Sequence, residues 1–439
     1  MKKSFLILIS SLLFTALVAQ NQWSLSQCIE YALTTNIDIM RVELNTAYQE
    51  NNLQQSKDNR LPNLNADISQ SFGFGRSLDI DNTYVNSQSA LTGFSVTSGM
   101  VVWQGGQLKN TIQQREYELK SSLEDLQKAK DDMIISISQY YLQILLAEEL
   151  VKVAEVQLEQ TNTQIQRTQK LVDAGTTAEG VLLEIQAQGA RESLELVNAK
   201  NSYRMALLNL AQILELDDYT GFEISKPELP EVQAEHSLLT SKAVYDNAVA
   251  TRPEIKSAEY MLESSASQLK IAKAGKLPSL TASAGLYDQY QVLSTYETSD
   301  FAQQMKDNSR SSVGLNLSVP IFNRNLNNTS IKNAEIQIEN KKLELEATKK
   351  ELRRQIEQSY INALASYERY HANKLAVESM ELSFHYMEQK FDMGRVNSVD
   401  YSDAKTRLAQ AQSDLVQAKF EFIFRTKILD FYNGIPIVL

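Results

Sequence analysis

Residues 60–69 read RLPNLNADIS, and residues 276–285 read KLPSLTASAG. The shared Leu-Pro followed by Leu, small and polar residues marks a duplication, because the match continues in both directions. Upstream, at an offset of 216, Ala32, Ile39, Leu53 and Lys57 fall on Ala248, Ile255, Leu269 and Lys273. Downstream the offset becomes 219: Trp103 meets Phe322, Tyr141 meets Tyr360, Gly175 meets Gly394 and Leu210 meets Leu429. The three-residue change falls between the Leu-Pro phrase and Trp103 or Phe322, so that stretch holds a loop of variable length. A polar linker with Pro227 and Pro230 separates the copies, since proline clusters punctuate structure. The expected division is a leader at 1–19, a first repeat at 20–219 and a second at 220–439.

Each copy opens with a helix. Ser24 and Gln27 have the spacing of a capping box, and the first helix is expected to run to about Lys57. Proline disfavours helix in the residue before it, so the Leu-Pro phrase ends the helix in both copies. Strand-like stretches follow. In SVGLNLSVPIF, residues 312–322, Val313, Leu315, Leu317, Val319 and Ile321 share one face while Gly314, Asn316 and Ser318 share the other. A period of two is the mark of a strand. ALTGFSVTSGMVVW and NLNADISQSFGFG are the matching stretches of copy one. Polar loops are expected at 75–88 and about 293–310, the former with Asp79 and Asp81, the latter with Tyr296 and Asp300.

A very long helix comes next. Ile112, Leu119, Leu126, Met133, Tyr140, Ala147 and Ala154 recur every seven residues. Leu123, Ile137, Ile144, Val151, Leu158 and Ile165 form a second seam, and Ile331, Ile338, Leu345 and Leu352 repeat the first in copy two. Apolar residues at sustained 3-4 spacing signify a coiled coil. From Gln107 to Val172 such a helix is about 100 Å long. Gly175 and Gly394 then turn the chain, as left-handed residues at helix ends, and Leu408, Leu415, Phe422 and Leu429 line a returning helix.

The fold class is therefore mainly α with a small β part: two tandem repeats, each a β-hairpin plus a long coiled-coil helical hairpin. Four amphipathic strands cannot close a barrel, and open edges invite pairing. Apolar residues outside and small polar residues inside suit the wall of a transmembrane barrel, which assigns Val313, Leu315, Leu317 and Val319 to lipid. Three chains would supply twelve strands.

The remaining composition excludes more than it assigns. The opening MKKSFLILISSLLFTALVAQ has the lysines, apolar core and small residues of a secretory signal, cleaved near Ala19 or Gln20. No later apolar run is long enough for a spanning helix. The single cysteine, Cys28, cannot form an internal disulfide. A formal charge of −11 without basic clusters disfavours nucleic acid. His236, His371 and His385 make no metal set, and phosphate-loop, nucleophile-elbow and zinc-protease motifs are absent. No enzyme activity, cofactor or metal is expected.

Several of these stretches carry a family likeness. WSLSQCIEYALTTNIDI, with Ala32, Leu33 and Asn36, and the run Ala248–Leu280, with Arg252-Pro253-Glu254 and its closing Leu-Pro, resemble the repeat signatures of TolC-type outer membrane efflux proteins. VVWQGGQ and SVPIFNRN resemble the strand-to-helix junctions of that family, although Asn323-Arg324-Asn325 departs from its usual glycines. The likeness spans residues 23–433. It implies a homotrimer in the Gram-negative outer membrane, a twelve-stranded β-barrel continued by a trimeric α-barrel tunnel in the periplasm. It also implies a passive exit duct for efflux or type I secretion. A periplasmic adaptor (membrane fusion protein) would join it to an inner-membrane RND or ABC pump.

The likeness places adaptor docking at Gly175, Thr176, Thr177, Gly394, Arg395 and Val396. It makes Asp400 and Asp403 the pore constriction, with Glu184 the carboxylate retained in copy one, where Val181 stands for the other. The arginine that locks the family's closed tip falls on Val396 and its aromatic partner on Phe391, so a lock here must use Arg395 or packing. The competing readings are a secreted coiled-coil scaffold and the periplasmic adaptor itself. The first does not account for matched amphipathic hairpins, nor the second for two copies.

Overall fold

A computed structural model describes residues 22–78, 81–227, 239–294 and 297–438. The expected leader, Asp79, Pro230, His236 and Tyr296 lie outside the described residues. In chain order the elements are α1 (Leu25–Thr35), α2 (Ile37–Asp58), β1 (Asn63–Leu78), β2 (Tyr84–Gln104), α3 (Gln107–Asp173) and α4 (Glu179–Ile213). Then follow α5 (Ser241–Thr251), α6 (Pro253–Ala274), β3 (Ser279–Leu293), α7 (Phe301–Asp307), β4 (Arg310–Ser318), α8 (Leu326–Asp392) and α9 (Ser398–Tyr432).

The capping box forms as expected. Gln27 N donates to Ser24 Oγ at 3.2 Å and Ser24 N donates to Gln27 Oε1 at 2.8 Å. The single helix expected beyond it is two. Asn36 leaves the helical region, and its Oδ1 accepts from the backbone of Asp38 and Ile39 at 3.0 and 3.3 Å. It thus caps α2. Arg252, the residue 216 later, is extended as well, because Pro253 follows it. The break belongs to the repeat, and apolar periodicity runs across it unseen.

The four strands form one antiparallel sheet in the order β1-β2-β3-β4. Register puts Leu64, Ile68 and Phe72 opposite Ser98, Phe94 and Ala90, and Val96 opposite Leu286. It then sets Leu280, Ala282 and Ala284 opposite Leu317, Leu315 and Val313. These residues share one face. Asn63, Asn65, Ser69, Gly93, Ser95, Ser283, Gly314 and Asn316 share the other. Val313, Leu315 and Leu317, expected on the lipid side, share one face of this sheet. Val319 and Ile321 do not belong: β4 ends at Ser318 because Pro320 cannot donate to a ladder.

Loop lengths also differ from expectation. β1 and β2 extend well into 75–88, leaving residues 79–83 between them. The second loop contains α7. There Gln304 holds both polar groups of Gln291: its Oε1 accepts from the Gln291 N–H at 2.8 Å, and its Nε2 donates to the Gln291 carbonyl at 2.9 Å. Amides of α7 thus take bonds that a longer β4 would have made.

Strand passes to long helix through two left-handed residues in each copy. Gly105 and Gly106 have φ of 57° and 80°; Arg324 and Asn325, 219 residues later, have 55° and 63°. The departure from glycine noted in the sequence leaves both positions left-handed.

α3 and α8 are each 67 residues long, and α4 and α9 each 35. Lys200 pairs with Glu155 at 2.8 Å, and a Cβ on Gly189 would meet Ile165 at 3.1 Å, so α4 runs back along α3. Asn373 donates to the Asp414 carbonyl at 3.1 Å and Arg369 pairs with Glu421 at 3.0 Å, so α9 runs back along α8. Of the expected seams, Ile112, Leu126, Ile137, Ile144, Leu345 and Leu352 are buried, whereas Leu123 is exposed.

Packing does not follow the repeats. One compact unit gathers the chain up to Leu44, Glu124–Lys256 and Ala347–Leu439; the other gathers Asn45–Leu123 and Ser257–Glu346. In the first, Leu25, Cys28 and Ala32 pack with Ile137, Tyr141, Ile144, Leu210, Leu214, Phe420 and Ile423. Tyr141 spends its hydroxyl on the Ser225 carbonyl at 2.6 Å, as a buried phenol must. Burial of one Leu or Ile side chain in such a cluster stabilises by about 1.5–3 kcal/mol. The second unit holds the sheet; there Ser121 and Ser257 share a hydrogen bond of 2.9 Å, and Tyr117 stacks on Tyr260.

Candidate functional site

Both hairpin tips close by the same bonds. Gly175 (φ 68°) donates to the Val172 carbonyl at 2.8 Å and Thr176 N to the Leu171 carbonyl at 2.9 Å. Gly394 (φ 69°) donates to Phe391 and Arg395 N to Lys390, each at 2.9 Å. This is the Schellman ending that a left-handed residue permits. Thr177 and Val396 follow, half-buried, while the other tip residues are exposed.

Asn397 caps α9 by accepting from Asp400 N at 2.8 Å. Asp400 therefore sits in the first turn, where the helix dipole favours a carboxylate. Asp403, one turn on, is paired with Arg407 at 2.8 Å. Glu184 accepts a hydrogen bond from Ser398 Oγ. Glu184 and Asp403 line one groove of about 860 Å³ between α4 and α9, together with Gln188, Arg191 and Glu192. Asp400 is exposed and does not line it.

A second set of residues near the tips escapes the sequence reading. Lys405 of α9 is buried and donates to the Gln157 carbonyl at 2.7 Å, to Glu192 at 3.1 and 3.2 Å, and to Thr161 Oγ1. Thr161 donates in turn to Glu192 at 2.6 Å. Burial lowers the Lys405 ammonium from its ordinary pKa, and Glu192 opposes that shift. Arg167 of α3 pairs with Asp392 of α8 at 2.6 Å. Phe391 stacks on Tyr401 at 4.6 Å between centroids. Burial pushes the Tyr401 phenol up to about 12, with Glu388 and Asp392 adding to the rise.

Thus Glu184 with Ser398, Lys405 with Glu192, Thr161 and Gln157, and Arg167 with Asp392 join the hairpin of the first copy to that of the second. The Arg395 side chain forms no ion pair among the described residues. One signal for the buried link was in the sequence. Tyr401, Lys405 and Leu408 fall at i, i+4 and i+7 of the inward stripe, so a charge stands where an apolar residue is the rule.

Among the described residues no group of three or more His, Cys, Asp or Glu could hold a metal ion, and no helix is long and apolar enough to cross a membrane.

The duplicated hairpins and four-stranded sheet recur in known proteins. The chain is 24% identical to the outer membrane protein TolC of Salmonella enteritidis over 96% of its own length and 84% of the relative's. It is 22% identical to the alkaline protease secretion protein AprF of Pseudomonas aeruginosa, over 71% of this chain and 63% of that one. The crystal structure of the outer membrane protein VceC of Vibrio cholerae superposes with a TM-score of 0.75, at 18% identity, covering 93% of this chain and 96% of that one. The outer membrane efflux protein family matches twice, over residues 28–215 and 244–421. With each match taking in two strands and helices of the hairpin that follows them, the chain belongs to the outer membrane efflux protein family.

Proposed function

We propose that three copies of this outer-membrane channel protein close into a passive exit duct: a twelve-stranded barrel continued by a helical tunnel, fed at the hairpin tips by an inner-membrane pump of the RND or ABC class through a periplasmic adaptor. The observation that carries this reading is the sheet. Its four strands gather Leu64, Ile68, Phe94, Val96, Leu286, Leu315 and Leu317 on one face, interrupted by Gln70, Thr92 and Asp288, and among the described residues its outer strands, β1 and β4, have no partner on their far sides. Strand edges left open in hydrocarbon cost several kcal/mol per unsatisfied group, so a spanning sheet must close. Four strands per chain close only with further copies.

The long helix supports the same reading. Ile336, Leu343, Ile361, Leu375 and Leu382 lie on one side of α8, and all are exposed in the single chain. These apolar residues recur along one helix side, interspersed with exposed Lys350, Glu357 and Glu368, and favour a covering surface that a neighbouring copy would supply. Relatives that serve as an outer membrane protein and as a protease secretion protein favour a duct over a catalyst, and family and fold alike are those of channel proteins.

Detergent-purified protein should run as a heat-sensitive species of three-chain mass and conduct ions in planar bilayers. Cysteines at Thr176 and Val396 should crosslink to the adaptor, and one at Tyr84 should not. A monomer without conductance, or the reverse crosslinking pattern, would overturn the reading.

A further inference from the structure

On the polar face of the sheet the strands carry two charged residues, Asp67 of β1 and Arg310 of β4. Every other position on that face, from Asn63 to Ser77, Val85 to Val101, Ser279 to Leu293 and Ser312 to Ser318, is uncharged. Register places the two in one row: Asp67 opposite Ser95, Ser95 opposite Tyr287, and Tyr287 opposite Arg310. Three inter-strand spacings separate their backbones, about 14 Å, and although both line one pocket with Tyr287 and Asn308, the two side chains do not pair within the chain. Arg310 forms no ion pair among the described residues.

Arg310 is nonetheless held in place. Its guanidinium lies 5.4 Å from the centre of the Tyr287 ring. That ring lies over Gly285: a Cβ there would meet Tyr287 carbon and hydroxyl atoms at 2.6–2.7 Å. Glycine thus lets the tyrosine lie along the wall, and the tyrosine face carries the cation. A π-face fixes a guanidinium without neutralising it, which leaves its charge and its donors for a passing solute.

We propose that in the assembled channel Arg310 forms a ring of positive charge inside the barrel, at the level where β4 begins, that engages phosphate or carboxylate groups of solutes leaving the duct. The proposal rests on the closed-barrel reading above. Strand tilt of about 40° separates the Arg310 level from the Asp67 level by about 9 Å along the axis. That is close to the Debye length of about 8 Å at physiological salt, so the two act as separate rings rather than cancelling. A ring of arginines is the device by which pores favour anions.

The test is conductance in planar bilayers under a KCl gradient, with tripolyphosphate as the anionic probe on the extracellular side. Wild type should be blocked by tripolyphosphate. Arg310→Gln should lose the block and shift the reversal potential toward that of potassium, Arg310→Lys should retain both properties, and Asp67→Asn should shift the potential the opposite way. A conducting wild type that tripolyphosphate leaves open overturns the site, as does an Arg310→Gln channel indistinguishable from wild type. If Arg310→Gln does not insert, the wild-type block and Arg310→Lys decide. Failure of the wild type to conduct at all would instead sink the duct reading.

Discussion

Lys405 Nζ lies 3.1 Å from Glu192 Oε1, joining the last helix of the second copy to the returning helix of the first, with both side chains at most 10% exposed. Two buried charges seldom gain much over an apolar pair, but removing one partner strands the other. Lys405→Met or Glu192→Gln alone should therefore cost about 3–5 kcal/mol, and Lys405→Met with Glu192→Leu should recover most of it. Thermal unfolding followed by helical circular dichroism checks this. A double variant whose loss equals the sum of the two single losses would show that the pair is not a coupled unit. Because the link ties one hairpin to the other near the tips, the single variants should also raise resting conductance.

The strand-to-helix junctions offer a comparison inside one chain. Gly105 carries φ 57° and Arg324 55° at equivalent positions, and a side chain in that region costs about 1–2 kcal/mol. Arg324→Gly should stabilise by about 1 kcal/mol, and Asn325→Gly by less, since asparagine tolerates the region. Gly105→Ala should be far worse than strain alone implies, because its Cβ would stand 2.8 Å from Leu277 Cβ. Denaturation midpoints measure all three. A destabilised Arg324→Gly would mean that the arginine earns its place by a contact not visible in the single chain.

Leu315 and Asn316 are neighbours on opposite faces of β4. Arginine at Leu315 should cost about 2–4 kcal/mol if that residue lies near the bilayer midplane. Arginine at Asn316 should insert and fold. Comparable membrane-fraction yields for the two would reverse or abolish the facing assignment.

Much of the fold was legible because the duplication supplies its own control. Gly175 and Gly394 were readable as left-handed turns from one offset, and the same offset matches Gly105 with Arg324. What escaped did so for physical reasons. The break at Asn36 costs only one residue of helix, so the apolar period passes through it. The Gln304 bonds to Gln291 replace a ladder with side-chain amides, which no alternation reports. The tip links are hidden by distance: Lys405 and Glu192 are 213 residues apart, and sequence shows a misplaced lysine without naming its partner.

Tyr401 gives a pH test of the packed tip. Its phenol titrates at about 12 in the fold against 10.0 unperturbed, mainly through burial. Below pH 10 both folded and unfolded chains hold the proton, and the contribution to stability is complete. Between 10 and 12 the unfolded chain binds fewer protons than the folded one, so stability falls as pH rises. The difference in phenolate absorbance between wild type and Tyr401→Phe should have its midpoint near 12. A midpoint near 10 would place the ring in water and dissolve the stack on Phe391.

The acidic tip makes the last prediction, and the structure gives its two carboxylates unequal weight. Asp403 shares its charge with Arg407 at 2.8 Å, whereas Asp400 is exposed in the first turn of α9 with no ion pair among the described residues. In three copies six carboxylates would face a narrow throat, and low-dielectric walls focus such a field. Asp400→Ala with Asp403→Ala should preserve trimers, weaken cation selectivity and abolish block by multivalent cations. Asp400→Ala alone should account for more of the change than Asp403→Ala, since the latter also releases Arg407. Loss of a first-turn carboxylate costs only about 0.3–1 kcal/mol, too little to unfold the hairpin. Reversal potentials and block measured in bilayers decide it: unchanged values in the double variant remove both residues from the pore.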